Sequence, residues 1–315
     1  LGDVYKRQVL SCEDFQILLL LDRDLNDKVS SAYLMVEPWK LLEALDKKMN
    51  SLNPNINKLA IKIMEEGPDL STDTDIANVP KGQPAVEHKL ETDDIVTVWG
   101  PPGTGKTYTM AKIANSYIAQ GKSVLIVSHS NVSVDGVIKQ VVKMLGTDKQ
   151  SILEDGKILR FGYVRDDELS QNPYATSFNY ALSKCDSYAR QLEHLMAKRD
   201  ELRAKNQMKS KEYDEVEHKI KEIRGEIRKE ERKYVERAQV IGTTISRATI
   251  DPIFEERQFD LVMFDEVSMA YVPQVIAAAA LAKEKFMCVG DFRQLAPISQ
   301  SPDSRVCLLY TSDAA

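Results

Sequence analysis

A glycine-rich segment at residues 100–107 has the spacing of a phosphate-binding loop. It reads Gly-Pro-Pro-Gly-Thr-Gly-Lys-Thr, which fits the pattern G-x-x-x-x-G-K-[ST], and it lies between a predicted strand and a predicted helix. The glycines let backbone N–H groups surround phosphate oxygens, and the helix N-terminus adds partial positive charge. We expect Lys106 to neutralise the β- and γ-phosphates of ATP and Thr107 to supply a hydroxyl ligand to Mg²⁺. A simple glycine-rich turn is the alternative. The predicted nucleotide-binding residues are Gly100, Pro101, Pro102, Gly103, Thr104, Gly105, Lys106, Thr107 and Tyr108.

Two adjacent acids end a short apolar segment farther along the chain. Residues 259–264 read Phe-Asp-Leu-Val-Met-Phe and are followed by Asp265 and Glu266. Neighbouring strand residues point to opposite faces, but the chain turns at a strand end, so both acids can serve one site. We expect Asp265 to hold Mg²⁺, directly or through water, and Glu266 to polarise the attacking water. Alternatively, the two acids cap a helix predicted at 267–282.

A third polar segment, at residues 290–297, also follows a predicted strand. It reads Gly-Asp-Phe-Arg-Gln-Leu-Ala-Pro. The side-chain amide of Gln294 can donate a hydrogen bond to a γ-phosphate and so report its loss. On composition alone, an ordinary turn ended by Pro297 is the favoured interpretation.

Strand and helix patterns alternate around these motifs. Short β-branched runs occupy 95–99, 123–128, 157–161, 239–243, 259–264 and 286–289, and helical patterns occupy 105–120 and 133–145. Buried strands that alternate with helices predict an α/β fold with a parallel sheet covered on both faces. A helix is also predicted at 39–52, after Pro38, and residues 68–84 are typical of a linker.

Residues 184–237 differ from the rest of the chain because more than half of them are charged. Apolar residues recur there at three- and four-residue spacing in two arms, separated by a polar break at 205–210. Narrow stripes of this period indicate a coiled-coil seam. The two arms predict an antiparallel helical hairpin, and a single long solvated helix is the alternative.

Composition excludes several classes of protein. The chain has 315 residues, of which 43% are hydrophobic and 29% charged, and this suits a packed core. Its longest apolar runs are far shorter than a membrane span, and no leader opens the chain, so we expect a cytoplasmic protein without a membrane segment. The four cysteines lie far apart, which argues against a disulfide framework or a zinc site. A net charge of −6 argues mildly against nucleic acid as a partner.

The two ends of the chain look foreign to it. Residues 3–8 and 307–312 resemble translations of the two strands of a transposon end used to prepare sequencing libraries. We therefore set residues 1–8 and 307–315 apart and expect the natural protein to continue beyond residue 306. The expected organisation is an N-terminal accessory region with a linker at 9–80, an ATPase domain at 81–150 plus 238–306, and an inserted coiled-coil subdomain at 151–237.

Five segments together resemble a known family. GPPGTGKT (100–107), SHSNVSVD (128–135), IGTT (241–244), DEVS (265–268) and GDFRQLAP (290–297) occur in the order of superfamily 1 helicase motifs I, Ia, Ic, II and III. The nearest resemblance is to the Upf1-like branch, which includes the nonsense-mediated-decay RNA helicase and its DNA-acting relatives. It covers about 83–150 and 238–300, the first RecA-like domain of such proteins, and implies a RecA-like P-loop NTPase fold.

The resemblance implies further roles for residues of this chain. Lys106, Glu266 and Gln294 would be catalytic, with Gln294 sensing the γ-phosphate, and Thr107 and Asp265 would hold Mg²⁺. Ser130, Asn131, Thr243 and Thr244 would contact the backbone of single-stranded DNA or RNA, although strand-end capping is an alternative for the two threonines. Gln83 would read adenine, but the Ala-Val pair follows it one position earlier than is usual in the family.

Three functions are compatible with this sequence. The favoured one is an ATP-driven helicase or translocase. A chromosome-maintenance ATPase also places a coiled coil between its nucleotide motifs, but it requires an LSGGQ-type signature, which this chain lacks. A nucleotide-gated scaffold is the third, with a protein partner on the hairpin. Because the second RecA-like domain and its arginines are absent, we expect this chain alone to bind ATP weakly and hydrolyse it poorly.

Overall fold

The computed structural model describes residues 7–13, 16–21, 39–66, 82–146, 150–205, 210–291 and 293. The chain divides into two compact units, Leu1–Trp39 and Lys40–Ala315. In the first unit, strand β1 (Arg7–Glu13) pairs antiparallel with β2 (Gln16–Leu21). The second unit contains the other described elements, apart from Trp39, the first residue of α1.

The second unit is built on a six-stranded parallel sheet. Its strands are β3 (Ile95–Trp99), β4 (Val124–Ser128), β5 (Ile158–Arg160), β6 (Val240–Thr244), β7 (Phe259–Asp265) and β8 (Ala282–Gly290). Their order is β3-β8-β7-β4-β6-β5, and every pairing is parallel. The prediction of an α/β fold with a parallel sheet is therefore confirmed, and each predicted strand lies where the sequence indicated.

Twelve helices accompany these strands in the described part of the chain. They are α1 (Trp39–Asn50), α2 (Lys58–Glu66), α3 (Gln83–Thr92), α4 (Lys106–Ala119), α5 (Asn131–Leu145), α6 (Gln150–Glu154), α7 (Asp167–Gln171), α8 (Ser177–Ser183), α9 (Asp186–Ala204), α10 (Lys211–Arg237), α11 (Ile245–Ile250) and α12 (Val272–Ala279). None of these helices combines the length and the apolar character that crossing a membrane requires.

Both faces of the sheet are buried, as its β-branched strands require. Along β4, Leu125 and Val127 belong to the core on one face, which also receives α11 and α12. Val124 and Ile126 belong to the core on the other face, where α4 and α5 pack. Alternation within a fully apolar strand thus supplies two cores at once.

The helix predicted at 267–282 is wrong at both ends, because α12 ends at Ala279 and Ala282 already belongs to β8. Glu266 adopts a left-handed conformation, a short 3₁₀ turn follows at Val267–Met269, and α12 begins only at Val272. Pro273 lies in the first turn of α12, where its missing N–H and fixed φ are tolerated. The chain therefore turns sharply after β7 instead of entering a helix directly.

Helices α9 and α10 occupy the two charged arms. Their apolar residues form a third core that includes Leu192 and Leu202 on α9 and Val216 and Ile220 on α10. Arg203 Nε, near the end of α9, lies 2.9 Å from the hydroxyl oxygen of Tyr213, near the start of α10. The polar break falls between them, because α9 ends at Ala204 and Ser210 caps α10.

Candidate nucleotide and nucleic-acid sites

The glycine-rich loop joins β3 to α4 at the carboxyl edge of the sheet. Gly103 and Gly105 have φ of 79° and 85°, values that residues other than glycine rarely adopt. A Cβ atom on Gly100 would lie 2.6 Å from Thr104 Oγ1 and would clash with it unless Thr104 moved. These three glycines therefore permit a compact loop whose backbone amides precede the N-terminus of α4 at Lys106.

The side chain of Lys106 folds back over the loop that precedes it. Its Nζ donates a hydrogen bond of 2.7 Å to the Gly100 carbonyl and lies 3.5 Å from the Pro101 carbonyl. Thr107 and Tyr108, the next two residues of α4, are exposed. The ammonium group thus lies at the mouth of the loop, within reach of anions that the loop could bind.

The two acids lie at the end of β7. Asp265 is buried, and burial raises its pKa to about 6, with a further increase from the charge of Glu266. The ammonium of Lys106 and a backbone N–H of Glu266 oppose this shift. Glu266, with φ of 55°, is the only non-glycine residue with positive φ in the described ranges. This turn at the strand end brings both acids to one cavity.

One open cavity of about 600 Å³ joins the loop to the two acids. Its lining residues are Pro102, Gly103, Gly105, Lys106, Thr107, Tyr108, Gln140, Asp265 and Glu266. The structure therefore brings the predicted lysine and both predicted carboxylates to a single space. That volume accommodates a ligand the size of a nucleotide.

A divalent ion fits the oxygen donors of this cavity. The Thr107 hydroxyl and the Asp265 carboxylate are hard oxygen ligands of the kind that Mg²⁺ prefers. Within the described residues, no group of three or more His, Cys, Asp or Glu could hold a metal by itself. The donor set therefore suits an ion that brings phosphate oxygens and water as its remaining ligands.

Gln140 lines the cavity, although no motif in the sequence points to it. It lies on α5, which packs against α4, and the amide of Asn115 on α4 donates to the Val141 carbonyl over 3.2 Å. Gln140 reaches the cavity because α4 and α5 pack together. A contact between two helices leaves no direct signal in a sequence pattern.

The segment after β8 is tied to the strand before the loop. The indole Nε1 of Trp99 donates to Asp291 Oδ1 over 3.1 Å, and the guanidinium carbon of Arg293 lies 5.1 Å from the centre of the Trp99 ring. Gln294, the predicted γ-phosphate sensor, lies outside the described residues. Gln83 begins α3, and its proposed adenine contact stays a prediction.

The four predicted nucleic-acid residues lie at the ends of two adjacent strands, β4 and β6. Ser130 caps α5 by accepting from the Val132 amide, and Thr244 caps α11 by accepting from the Arg247 amide. Strand-end capping is the alternative role given above for Thr244, and the residue, which ends β6, caps the helix that follows. Thr243 is fully buried and its hydroxyl has no hydrogen-bond partner in the described part of the chain. In this conformation its side chain does not face solvent.

Asn131 is held by an arginine that the sequence did not single out. Its Oδ1 accepts a hydrogen bond of 2.8 Å from the guanidinium of Arg160. Arg160 is the last residue of β5. This bond orients the Asn131 side chain, whose amide nitrogen is its hydrogen-bond donor toward a ligand.

Comparison with known proteins gives the relationships of the chain. A family model described as AAA domain matches residues 81–302. DNA-binding protein SMUBP-2 of Mesocricetus auratus is 27% identical over 236 residues, which cover 70% of this chain and 22% of that protein. DNA polymerase alpha-associated DNA helicase A of Schizosaccharomyces pombe is 27% identical over 230 residues, which cover 69% of this chain and 32% of that protein. The regulator of nonsense transcripts 1 homolog of Arabidopsis thaliana is 26% identical over 213 residues, which cover 65% of this chain and 15% of that protein.

The match with the AAA domain extends over more than half of the chain, whereas the chain spans only about a third or less of each relative named above. The matched region contains the loop, the acid pair and the whole parallel sheet. The chain therefore belongs to the AAA domain family and carries a superfamily 1 helicase domain of the Upf1-like branch.

Proposed function

We propose that this domain is the nucleotide-binding part of an ATP-dependent helicase or translocase that moves along single-stranded DNA or RNA. The observation that carries the proposal is the shared cavity of Lys106, Asp265 and Glu266. A triphosphate bound by the glycine loop would lie beside both the lysine and the two acids. This arrangement suits phosphoryl transfer to water, in which positioning and electrostatic stabilisation supply most of the catalysis.

Each residue of the cavity has a distinct part in this proposal. Lys106 would exchange its bond to the Gly100 carbonyl for the β- and γ-phosphate oxygens. Thr107 and Asp265 would hold Mg²⁺, which neutralises charge on those oxygens. Glu266 would orient the attacking water and accept its proton. Gln294 would sense the γ-phosphate, and Gln83 would contact adenine.

The polymer would lie along the ends of β4 and β6. Ser130, Asn131 and Thr244 are near this edge and offer hydroxyl and amide groups, which can bind phosphates without a strongly basic surface. Thr243 would contribute through its backbone unless its side chain moves. Relatives named for DNA binding, for a DNA helicase and for nonsense transcripts leave both DNA and RNA as candidate tracks.

We also propose that α9 and α10 form an antiparallel hairpin inserted into the ATPase domain. Pairing of the end of α9 with the start of α10 supports it, as in the 2.7 Å ion pair between Lys198 and Glu212. The proposed domains are 81–150 with 238–306 for the ATPase and 151–237 for the insertion. The arm could contact a protein partner or serve as a solvated structural element.

The test is strand displacement by a version of the protein extended with its downstream sequence. Lys106→Ala should abolish displacement and nucleic-acid-stimulated ATP hydrolysis while the protein stays folded. Lys112→Ala is a matched control on the same helix, where the lysine forms an exposed ion pair with Glu87. If the extended wild-type protein neither displaces a strand nor responds to nucleic acid, the scaffold interpretation replaces this proposal. Rapid ATP turnover by the 315-residue chain alone would contradict the expected need for a second RecA-like domain.

A further inference from the structure

A single guanidinium nitrogen joins two loops at the carboxyl edge of the sheet. One terminal nitrogen (Nη2) of Arg160 donates to Asn131 Oδ1 over 2.8 Å and to the Tyr163 carbonyl over 2.7 Å. Asn131 follows β4 and Tyr163 follows β5, and both strands flank β6. Tyr163, which has no predicted role, is thus held next to Asn131, which is predicted to contact nucleic acid.

The position of Tyr163 is fixed because Arg160 itself cannot move freely. Arg160 is fully buried, and its Nε donates to Asp135 Oδ1 over 2.6 Å. Its other terminal nitrogen donates to the carbonyls of Phe161, at 2.6 Å, and Gly242, at 3.4 Å. With all of these bonds formed, the guanidinium is a rigid anchor for the backbone of Tyr163.

The ring of Tyr163 is open to solvent although its backbone is anchored. Its exposed fraction, 67%, is the highest among the large apolar side chains that the structure describes. An exposed apolar side chain is unremarkable by itself. Here, however, an aromatic face is presented at a defined place beside the proposed track, and aromatic faces bind the bases of single strands by stacking.

A cationic side chain lies against the same loop. The guanidinium carbon of Arg247 stands 4.1 Å from the centre of the Phe161 ring, and its side chain is 42% exposed. A Cβ atom on Gly162 would lie 3.3 Å from Arg247 Nη1, so Arg247 borders the residue that precedes Tyr163. The backbone amide of Arg247 also bonds Thr244 Oγ1, at 3.4 Å, which connects it to the Ic segment.

Arg247 shares its carboxylate partner with a second arginine. Asp251 is shared between two arginines, at 3.6 Å from Arg247 and 2.9 Å from Arg232. The charge of Arg247 also acts on the buried Glu231, and burial raises the pKa of the Glu231 carboxyl. The single carboxylate of Asp251 is thus divided between two guanidinium groups, which favours an additional anionic ligand beside Arg247.

We propose that Tyr163 and Arg247 form a further subsite for single-stranded nucleic acid, in which the tyrosine ring stacks on a base and the arginine binds an adjacent phosphate. The inference rests on the proposed function, because it extends the track of Asn131 and Thr244 toward the end of β5. Stacking and phosphate binding are common to DNA and RNA. Oligo(dT) and oligo(U) of equal length are therefore used as probes.

The experiment measures binding of the full 315-residue chain to both labelled oligonucleotides by fluorescence anisotropy at several salt concentrations. Tyr163→Ala should weaken binding by about tenfold or more, with an unchanged salt dependence, because stacking is lost and no charge is removed. Tyr163→Phe should bind within about twofold of wild type, since the ring remains. Arg247→Gln should reduce the slope of log K against log salt by about 0.7, as expected for one lost phosphate contact.

Two controls separate these effects from general ones. Arg237→Gln removes the same charge at the end of α10, beyond the opposite edge of the sheet, and should leave the salt slope near that of wild type. Thermal melts of the Tyr163 variants should match wild type, because the ring is exposed. An oligonucleotide with 5-bromouracil bases should also photocrosslink to the peptide that contains Tyr163.

The outcomes distinguish this inference from the proposed function. If wild type binds and Asn131→Ala weakens binding, but Tyr163→Ala binds as wild type does, the subsite is overturned and the proposed function stands. The stacking role is also overturned if Tyr163→Phe is as weak as Tyr163→Ala. If wild type binds neither oligonucleotide, both the subsite and the nucleic-acid function are overturned.

Discussion

Asp135 and Arg160 form an ion pair that is closed to solvent, with 2.6 Å between Oδ1 and Nε and side chains that are 1% and 0% exposed. The second carboxylate oxygen of Asp135 accepts the backbone amides of Arg165, at 2.6 Å, and Asp166, at 3.1 Å. Desolvation of two charges is compensated only when each keeps its partners. The pair therefore holds α5, β5 and the following loop in one arrangement.

Breaking this pair should lower the free energy of unfolding strongly. Arg160→Met leaves the Asp135 carboxylate buried without its counter-charge, and we expect a loss of about 3–5 kcal/mol. Urea denaturation followed by circular dichroism measures it. Lys112→Ala, which breaks the exposed pair with Glu87, should cost less than about 1 kcal/mol. A similar small loss for Arg160→Met would show that the buried pair contributes little.

The raised pKa of Asp265 predicts that this residue destabilises the folded protein in a pH-dependent way. Its folded-state pKa of about 6, against an ordinary value of 3.8, arises first from burial and then from Glu266. The folded protein thus binds this proton more tightly than the unfolded chain. The contribution of Asp265 to the free energy of unfolding should therefore fall as pH rises from about 4 to about 6, by at most about 3 kcal/mol.

Asp265→Asn removes this titration, so its stability relative to wild type should grow across the same pH interval and then stay constant. Denaturation with a chelator present, at pH 4.5, 5.5, 6.5 and 7.5, measures the difference. A difference that is the same at all four pH values would contradict the assigned cause.

Two glycines outside the nucleotide site should respond in opposite directions to alanine. A Cβ atom on Gly242 would lie 2.4 Å from Ile138 Cγ1 and 3.0 Å from Val134 Cγ1, so α5 would have to move away from β6. We expect Gly242→Ala to destabilise the protein by about 1–3 kcal/mol. On α10, a Cβ atom on Gly225 would meet nothing within 4 Å, and Gly225→Ala should stabilise by up to about 1 kcal/mol. Thermal melts of both variants test the pair, and destabilisation by Gly225→Ala would contradict it.

The sequence was informative where function and periodicity leave local patterns. Motif spacing identified the loop at Lys106 and the acids at Asp265, and β-branched runs located all six strands of the sheet. These features depend on neighbours in the chain, so a linear reading finds them.

Contacts between distant segments left no such pattern. Asp135 and Arg160 are 25 positions apart, and nothing in either segment indicates that they pair. Gln140 enters the cavity only because α4 and α5 pack together. The burial of Thr243 follows from the place of β6 inside the sheet, and strand order is likewise set by tertiary packing.

The left-handed backbone of Glu266 predicts that stability and catalysis conflict at this position. Its φ of 55° is unfavourable for glutamate, whereas asparagine tolerates this region better. Glu266→Asn should therefore be more stable than Glu266→Gln, by up to about 1 kcal/mol, because both remove the charge and only asparagine suits the backbone. Urea denaturation of the two variants measures this difference. Both should reduce ATP hydrolysis in the extended protein by about 100-fold or more if Glu266 accepts the proton of the attacking water. Equal stability of the two variants would show that the turn is unstrained, and retained hydrolysis would remove Glu266 from the proposed chemistry.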